Sequence, residues 1–250
     1  MRVALFVTCL VDLFRPGVGF AAVRLLERLG AEVVVPPEQT CCGQPAYNSG
    51  DFANARAIAR QVLDAFDGYA HVVVPSGSCA GMLVRHYPEL FRDEPETLAR
   101  AEALAARTRE LSAFLAEHGS ADTLDVRFAG RVAMHDSCSA RRELGIGAAP
   151  RALLDALGAA RVEFEDAEAC CGFGGTFCVK YPDVSARMVS DKAHAVTASG
   201  ADVLVSGDLG CLLNIAGRLK RMDSPVRVYH LAELLVGIDG VPGIGDGDTR

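Results

Sequence analysis

The chain lacks any uninterrupted apolar run near the roughly 18 residues that a membrane-spanning helix requires, so no span is expected. Its start, MRVALFVTCLVD, has one Arg before a short apolar run and no small-residue cleavage pattern after it, which reads as a buried strand and not as a secretion leader. A cytoplasmic location is the corresponding expectation, and thiols stay reduced there. Positive charge is also scarce. The 25 Lys and Arg face 32 Asp and Glu, a formal net charge of -7, which argues against a nucleic-acid partner because no surface would track its phosphates. Charged residues make up 23% and hydrophobic ones 50%, the balance of a globular chain and not of a disordered one. Missing too are a Ser-His-Asp order, an HExxH helix and a phosphate loop. The nearest approach to a dinucleotide fingerprint, GFGGTF at 172–177, lacks the third glycine and the strand that must precede it. Neither a catalytic residue nor a self-contained substrate pocket emerges.

What the sequence does have is nine cysteines. In a reducing compartment these point to metal binding or redox chemistry and away from a disulfide framework. Two stretches set cysteines side by side against a glycine: QTCCGQPAYNSGD, with Cys41 and Cys42, and EACCGFGG, with Cys170 and Cys171. Neighbours on a strand face opposite ways, so each pair serves one ligand only where the backbone bends, and Gly43 and Gly172 supply that bend.

The pattern is duplicated. A gap of 32 positions separates Cys9 from Cys41 and also Cys138 from Cys170, while 37 separate Cys42 from Cys79 and 40 separate Cys171 from Cys211. The difference falls in one loop: Asp51 opens a helix nine residues past Cys42, and Asp183 is expected to open its counterpart twelve past Cys171. RVALFVTC matches RVAMHDSC, each a short strand ending on its cysteine, and an amphipathic helix closed near Gly30 or Gly158 then leads to a second strand. A third strand again stops at a cysteine, in YAHVVVPSGSC and GADVLVSGDLGC, and each half finishes with a helix, ELSAFLAEHG or HLAELLVGIDG. One long helix is expected from Asp93 to about Glu117 with Pro95 early, and GSADTLDVRFAG is the expected joint. The fold class is therefore α/β with a duplicated unit: two pseudo-symmetric halves, each a short, mainly parallel sheet flanked by helices, with cysteines at the carboxyl ends of strands. The halves are placed at 1-120 and 121-237, and a tail, 238-250, is expected to be flexible because it is rich in Gly and Asp with little to bury.

Each half offers four thiolates: Cys9, Cys41, Cys42 and Cys79 in the first, Cys138, Cys170, Cys171 and Cys211 in the second. Four thiolates are the complement of a cubane 4Fe-4S cluster, one per iron, and a body that wide lets two adjacent residues bind different corners. Zinc in one or both halves is the alternative, giving a zinc-stabilised assembly module without redox activity; tetrahedral zinc more often takes cysteines two to four residues apart. Cys178 has no counterpart in the first half and reads as a small core hydrophobe. His135 stands where the first half has Phe6, either tuning a metal centre from behind its ligands or sitting as a satisfied core histidine. GFGGTF reads as a tight turn whose N–H groups point at sulfur.

Two copies of Cys, a long gap, Cys-Cys-Gly, a similar gap and a closing Cys resemble the cysteine-rich CCG domain. That domain occurs in the B subunit of heterodisulfide reductase, the iron-sulfur subunit of glycolate oxidase and anaerobic glycerol-3-phosphate dehydrogenase. The stretches FVTCLVDLFRPGVG, CCGQPAYNSG, PSGSC, CCGFGGTFCVK and LGCLLNIAGRLKR are most similar to the lactate-utilisation branch of that family, with likeness from about residue 1 to 237. The resemblance implies two iron-sulfur clusters on the eight repeated cysteines. It also implies an electron-transfer subunit, not catalytic alone, that serves the oxidation of L-lactate to pyruvate with two other lactate-utilisation subunits, one iron-sulfur and ferredoxin-like, one small and accessory. Glycolate or a thiol-disulfide couple is the alternative substrate. Heterodisulfide reductase relatives close their motif with Cys-x-x-Cys, but here Ser76 or Asp208 holds the first of those places, which weighs against a five-thiolate site and disulfide cleavage. Ser76 and Asp208 read as loop residues bonded to their own turns; alternatively Asp208 gives one iron an oxygen ligand or a hydrogen-bonded acid and makes the two clusters unequal in potential.

Overall fold

A computed structural model describes residues 1–119, 124 and 126–246. Expectations for 120–123 and 125, within the joint, and for 247–250, at the end of the tail, lie outside the described residues. The strands β1 (Arg2–Leu5), β2 (Glu32–Val34), β3 (Val72–Val74) and β4 (Thr108–Glu110) form one parallel sheet in the order β2-β1-β3-β4. A second parallel sheet, β6-β5-β7-β8, repeats that order with β5 (Arg131–Met134), β6 (Ala160–Val162), β7 (Val203–Ser206) and β8 (Arg227–His230). Around the first sheet lie α1 (Cys9–Phe14), α2 (Pro16–Arg28), α3 (Gln44–Asn48), α4 (Phe52–Ala65), α5 (Gly77–Gly81), α6 (Tyr87–Leu90), α7 (Pro95–Arg107) and α8 (Leu111–His118). The second carries α9 (Ala148–Leu157), α10 (Phe177–Lys180), α11 (Pro182–Ala198), α12 (Leu209–Arg221) and α13 (Leu231–Val236), and a π-helical turn follows in each half at Met82–His86 and Ser139–Glu143. The central strands β3 and β7 are buried along their whole length, as the near-continuous apolar runs of doubly covered parallel sheets require.

Alternate residues of each strand enter different cores. Val3, Leu5 and Val73 face a cluster shared by both halves, into which α2, α8, α9 and α13 place Leu25, Phe114, Leu154, Leu157 and Leu234. Ala4, Val72 and Val74 face the opposite way, beneath α4 and α7, while Ala133 and Leu204 lie beneath α11 and α12. Helix α2 packs on α13 and α8 on α9, so the middle layer of the molecule is built from both halves.

The single helix expected from Asp93 to Glu117 is a helix, a strand and a helix. Pro95 opens α7 as expected, but Thr108 turns extended, its hydroxyl donates to the Leu104 carbonyl at 2.7 Å, and β4 pairs with β3 through Val72↔Thr108 and Val74↔Glu110. Leu104, Thr108, Leu111 and Leu115 keep helical spacing only because α7, β4 and α8 each bury a residue there in turn. Glu110 then caps α8, accepting from the Ser112 amide at 2.9 Å and the Ala113 amide at 3.3 Å. The helix expected to open at Asp183 begins at Pro182, with Asp183 in its first turn.

Burial pushes the Glu110 carboxyl up to about 7, against the opposing pull of its amide and hydroxyl donors. The folded state therefore holds a proton that the unfolded chain releases, and stability should fall as pH rises from about 4.5 to 7, then level off. Glu110→Gln should flatten that slope, which amounts to on the order of 3 kcal/mol across the window. Urea midpoints of both proteins at pH 5 and pH 8 measure it; parallel shifts in the two would remove Glu110 as the cause.

The stretch after Gly237, for which composition predicts fraying, is packed as far as it is described. Ile238 and Ile244 are buried, the Ile244 amide donates to the Val228 carbonyl at 2.7 Å, and the Tyr229 hydroxyl donates to Val241 at 2.9 Å. Two isoleucines among the glycines supply the apolar contact that the composition hides.

Candidate metal centre

The strands end a few residues before the cysteines, and the cysteines open the helices that follow. Cys9 is the first residue of α1, whose N-cap Thr8 accepts from the Val11 amide at 3.4 Å. Cys79 and Cys211 lie in the first turns of α5 and α12, and Cys138 directly precedes the π-helical turn at Ser139. A sulfur at a helix start sits among unpaired N–H groups and at the positive end of the helix dipole, which favours the thiolate.

In the first half the vicinal pair bridges the other two cysteines. Cys9 Sγ lies 3.7 Å from Cys41 Sγ, and Cys42 Sγ lies 3.3 Å from Cys79 Sγ. Gly43 has φ of 82° and Gly172 of 81°, the left-handed bend expected of both, and in each case the glycine amide donates to the sulfur two residues back, Cys41 or Cys170, at 3.4 Å. The carbonyl of the second cysteine is pinned differently in the two halves, by the Tyr87 hydroxyl at 2.9 Å on Cys42 and by Asn214 Nδ2 at 2.8 Å on Cys171. In the second half the Cys171 and Cys211 sulfurs and one ring nitrogen of His135 all lie within 4.8 Å of one another, and the thiols of Cys138 and Cys171 are near enough to Cys170 to govern its ionisation.

Charge is distributed alike in both sets. Hydrogen bonds from Cys42 and Cys9 pull the Cys41 thiol down to about 3, and bonds from Cys138 and Cys171 pull Cys170 down to about 2. Their partners Cys9, Cys42, Cys138 and Cys171 are pushed up, because each gives its hydrogen to the neighbouring thiolate and is buried besides. Thiolates are the ligands that iron-sulfur clusters and zinc select. The first set opens on a cavity of about 130 Å³, roughly ten times the 10–15 Å³ that admits one water, so donors and space together fit a polynuclear centre as well as a single ion.

That cavity is closed by the other half. Phe173 and Gly175 of the GFGGTF turn, Asp208, Leu209 and Gly210 line it together with Cys9, Cys41, Cys42 and Cys79. Ser76 does bond its own turn, as expected of a loop residue, accepting from the Cys79 amide at 3.3 Å. Asp208 does not: its Oδ2 accepts from the Ser78 amide at 2.8 Å and the Ser76 hydroxyl at 3.2 Å, both in the first half, while its charge also raises Cys138 and Cys211. The acid thus lies between the two sets of sulfurs, with its described hydrogen bonds directed to the first. Cys178, expected in the core, is only half-buried on α10, with its sulfur 3.9 Å from the Gly175 carbonyl and apart from the other eight. No motif in the sequence marks Lys192. It is buried on α11, donates to the Ala167 carbonyl at 3.0 Å, and its ammonium rests 5.3 Å from the Phe164 ring centre, close enough to the second set for Cys171 to oppose the loss of its charge.

Two stretches, 3–84 and 132–216, match the model of the cysteine-rich domain family CCG, and they hold all eight paired cysteines. The chain belongs to the CCG family. Among similar proteins, Lactate utilization protein A of Exiguobacterium sp. is 48% identical over 94% of this chain and 96% of its own length. Its namesake from Geobacillus kaustophilus is also 48% identical, over 94% of this chain and 98% of its own. A solved glutamate racemase from Bacillus anthracis covers 96% of this chain and 80% of its own at 11% identity, but its TM-score of 0.39 is too low to bear on the site. Among the described residues of this CCG chain, no helix is long and apolar enough to cross a membrane.

Proposed function

We propose that the chain is the iron-sulfur electron-transfer subunit of a cytoplasmic system that oxidises L-lactate to pyruvate, with one 4Fe-4S centre in each half. The observation that carries this is the convergence of a duplicated four-thiol set, in a chain that matches proteins named for lactate utilisation over nearly its full length. In this reading Cys9, Cys41, Cys42 and Cys79 hold the first centre and Cys138, Cys170, Cys171 and Cys211 the second. A bound cluster supplies one-electron storage, and two such stores in one chain match the two electrons released when a 2-hydroxy acid becomes a 2-keto acid. The residues around it have separable tasks. The helix starts and the Gly43 and Gly172 amides stabilise thiolate charge, the Tyr87 and Asn214 contacts fix the vicinal pairs, and the GFGGTF turn keeps water from the first set. Lactate itself is oxidised on a partner. Two other lactate-utilisation subunits, one ferredoxin-like with iron-sulfur centres and one small accessory protein, complete the assembly.

One distance favours zinc: the 3.7 Å between Cys9 and Cys41 sulfurs is close to the roughly 3.8 Å edge of a tetrahedron with Zn–S bonds of about 2.3 Å. The adjacency of the vicinal cysteines and the size of the cavity weigh the other way. Iron, sulfide and zinc analysis of protein purified without oxygen decides between them. About eight irons with matching sulfide in a brown, redox-active sample is the expected result. A colourless protein with stoichiometric zinc would end the electron-transfer reading.

A further inference from the structure

We propose that His135 is itself a ligand in the second half, a ring nitrogen joining Cys171 and Cys211 as a fifth donor beside the four thiolates, so that the two centres of one chain differ in donor set. This rests on the metal-centre reading above and deepens it.

The geometry is specific. A ring nitrogen of His135 and the sulfurs of Cys171 and Cys211 lie within 4.8 Å of one another, and all three residues are buried. His135 is 1% exposed, and among the described residues neither Nδ1 nor Nε2 makes a well-formed hydrogen bond; the backbone acceptor facing the ring is the Ala167 carbonyl. A ligating histidine commonly turns its second ring nitrogen to a backbone carbonyl, and here the Ala167 carbonyl stands on one side of the ring while the two sulfurs stand on the other, so the nitrogen facing them is a donor in position to ligate. His230, also buried, is different, because its Nδ1 accepts from the Ala232 amide at 3.1 Å as the cap of α13. The backbone fixes where the His135 ring is presented, since its amide donates to the Val205 carbonyl at 2.9 Å at the carboxyl end of the sheet.

The first half shows what the position looks like when only packing is required. Phe6 occupies it, fully buried, with its ring centre 5.3 Å from that of Phe66. A second polar exchange accompanies the first. Aligning Ile58 and Met188, which face Gly43 and Gly172, sets Lys192 opposite Val62, so the second set of sulfurs has a buried cation and an imidazole where the first has two hydrocarbons. Imidazole ligation and nearby positive charge both stabilise the reduced form of a cluster. The second centre is therefore the more oxidising of the two, and electrons within the chain settle there.

The test uses the full chain, purified without oxygen and reduced, with pulsed EPR of samples grown with ordinary or 15N-labelled histidine. A strong nitrogen coupling that changes with the label is expected in the wild type. In His135→Phe, which copies the first half, that coupling should vanish and the higher of the two midpoint potentials should fall. Iron present with no histidine coupling overturns the inference while leaving the proposed function intact, and so does a coupling that survives in His135→Phe. The wild-type spectrum decides even where the variant folds poorly. If the metal is zinc, the electron-transfer reading fails, and the ligand assignment then requires His135→Phe to lose the zinc of the second half, an unchanged zinc content overturning it. Protein that binds no metal sinks both.

Discussion

Serine at Cys42 should remove roughly half of the iron and sulfide carried per chain, leaving the second half loaded. Cys42 is 2% exposed, its sulfur lies 3.3 Å from that of Cys79, and the Tyr87 hydroxyl holds its carbonyl at 2.9 Å. Serine is nearly isosteric and keeps the backbone contact, so the polypeptide should still fold. Its hydroxyl is a hard donor that stays protonated, whereas iron-sulfur centres select thiolate. Binding at such a site contributes directly to folding, so the variant should also melt earlier than the loaded wild type and closer to metal-stripped protein. Iron and sulfide per chain, with the visible spectrum, measure the first effect and thermal unfolding the second. Full iron content in Cys42→Ser would remove Cys42 from the ligand set.

Alanine at Gly172 should be far more damaging than alanine at Gly43, although the two glycines are equivalent in the repeat. Both have positive φ, 81° and 82°, which costs a non-glycine residue about 1–2 kcal/mol. At Gly43 the added methyl meets Ile58 Cγ2 at 3.3 Å, the end of a side chain that can rotate away. At Gly172 it meets the Ser185 carbonyl oxygen at 2.9 Å and Ser185 Cα at 3.3 Å, both backbone, and overpacking of that kind adds about 1–3 kcal/mol. Gly172→Ala should therefore lose about 2–5 kcal/mol and Gly43→Ala about 1–2 kcal/mol. Gly172→Ala should also weaken metal retention in the second half, since the Gly172 amide donates to Cys170. Urea unfolding of both variants measures the difference. Equal losses would mean that strain at positive φ, and not the closeness of α11, governs both sites.

Much of this was visible in the amino-acid order because a repeat tests itself. The Cys-Cys-Gly bends, the three cysteine-bearing loops and the parallel character of the sheets all follow from features that occur twice at nearly fixed offsets. The fourth strand is the exception, although the repeat contains its clue: β4 and α8 stand to Glu110 as β8 and α13 stand to His230. Helical spacing of Leu104, Thr108, Leu111 and Leu115 outweighed it. The partners of Asp208 were illegible for another reason. Ser76 and Ser78 are 132 and 130 positions away, and no local pattern marks a carboxylate that crosses from one half to the other. Lys192 was hidden in the same way, since a lysine in an amphipathic helix usually marks the wet face and here it is buried.

The lining of the first cavity by Asp208, Leu209 and Gly210 sets an order of events during biosynthesis. A ribosome that has delivered Cys9, Cys41, Cys42 and Cys79 has still to deliver the residues that close over them. Whatever fills that chamber must arrive on an open, half-made platform that awaits its cover, or after release of the nascent polypeptide, when the late-emerging loop is free to swing shut behind it.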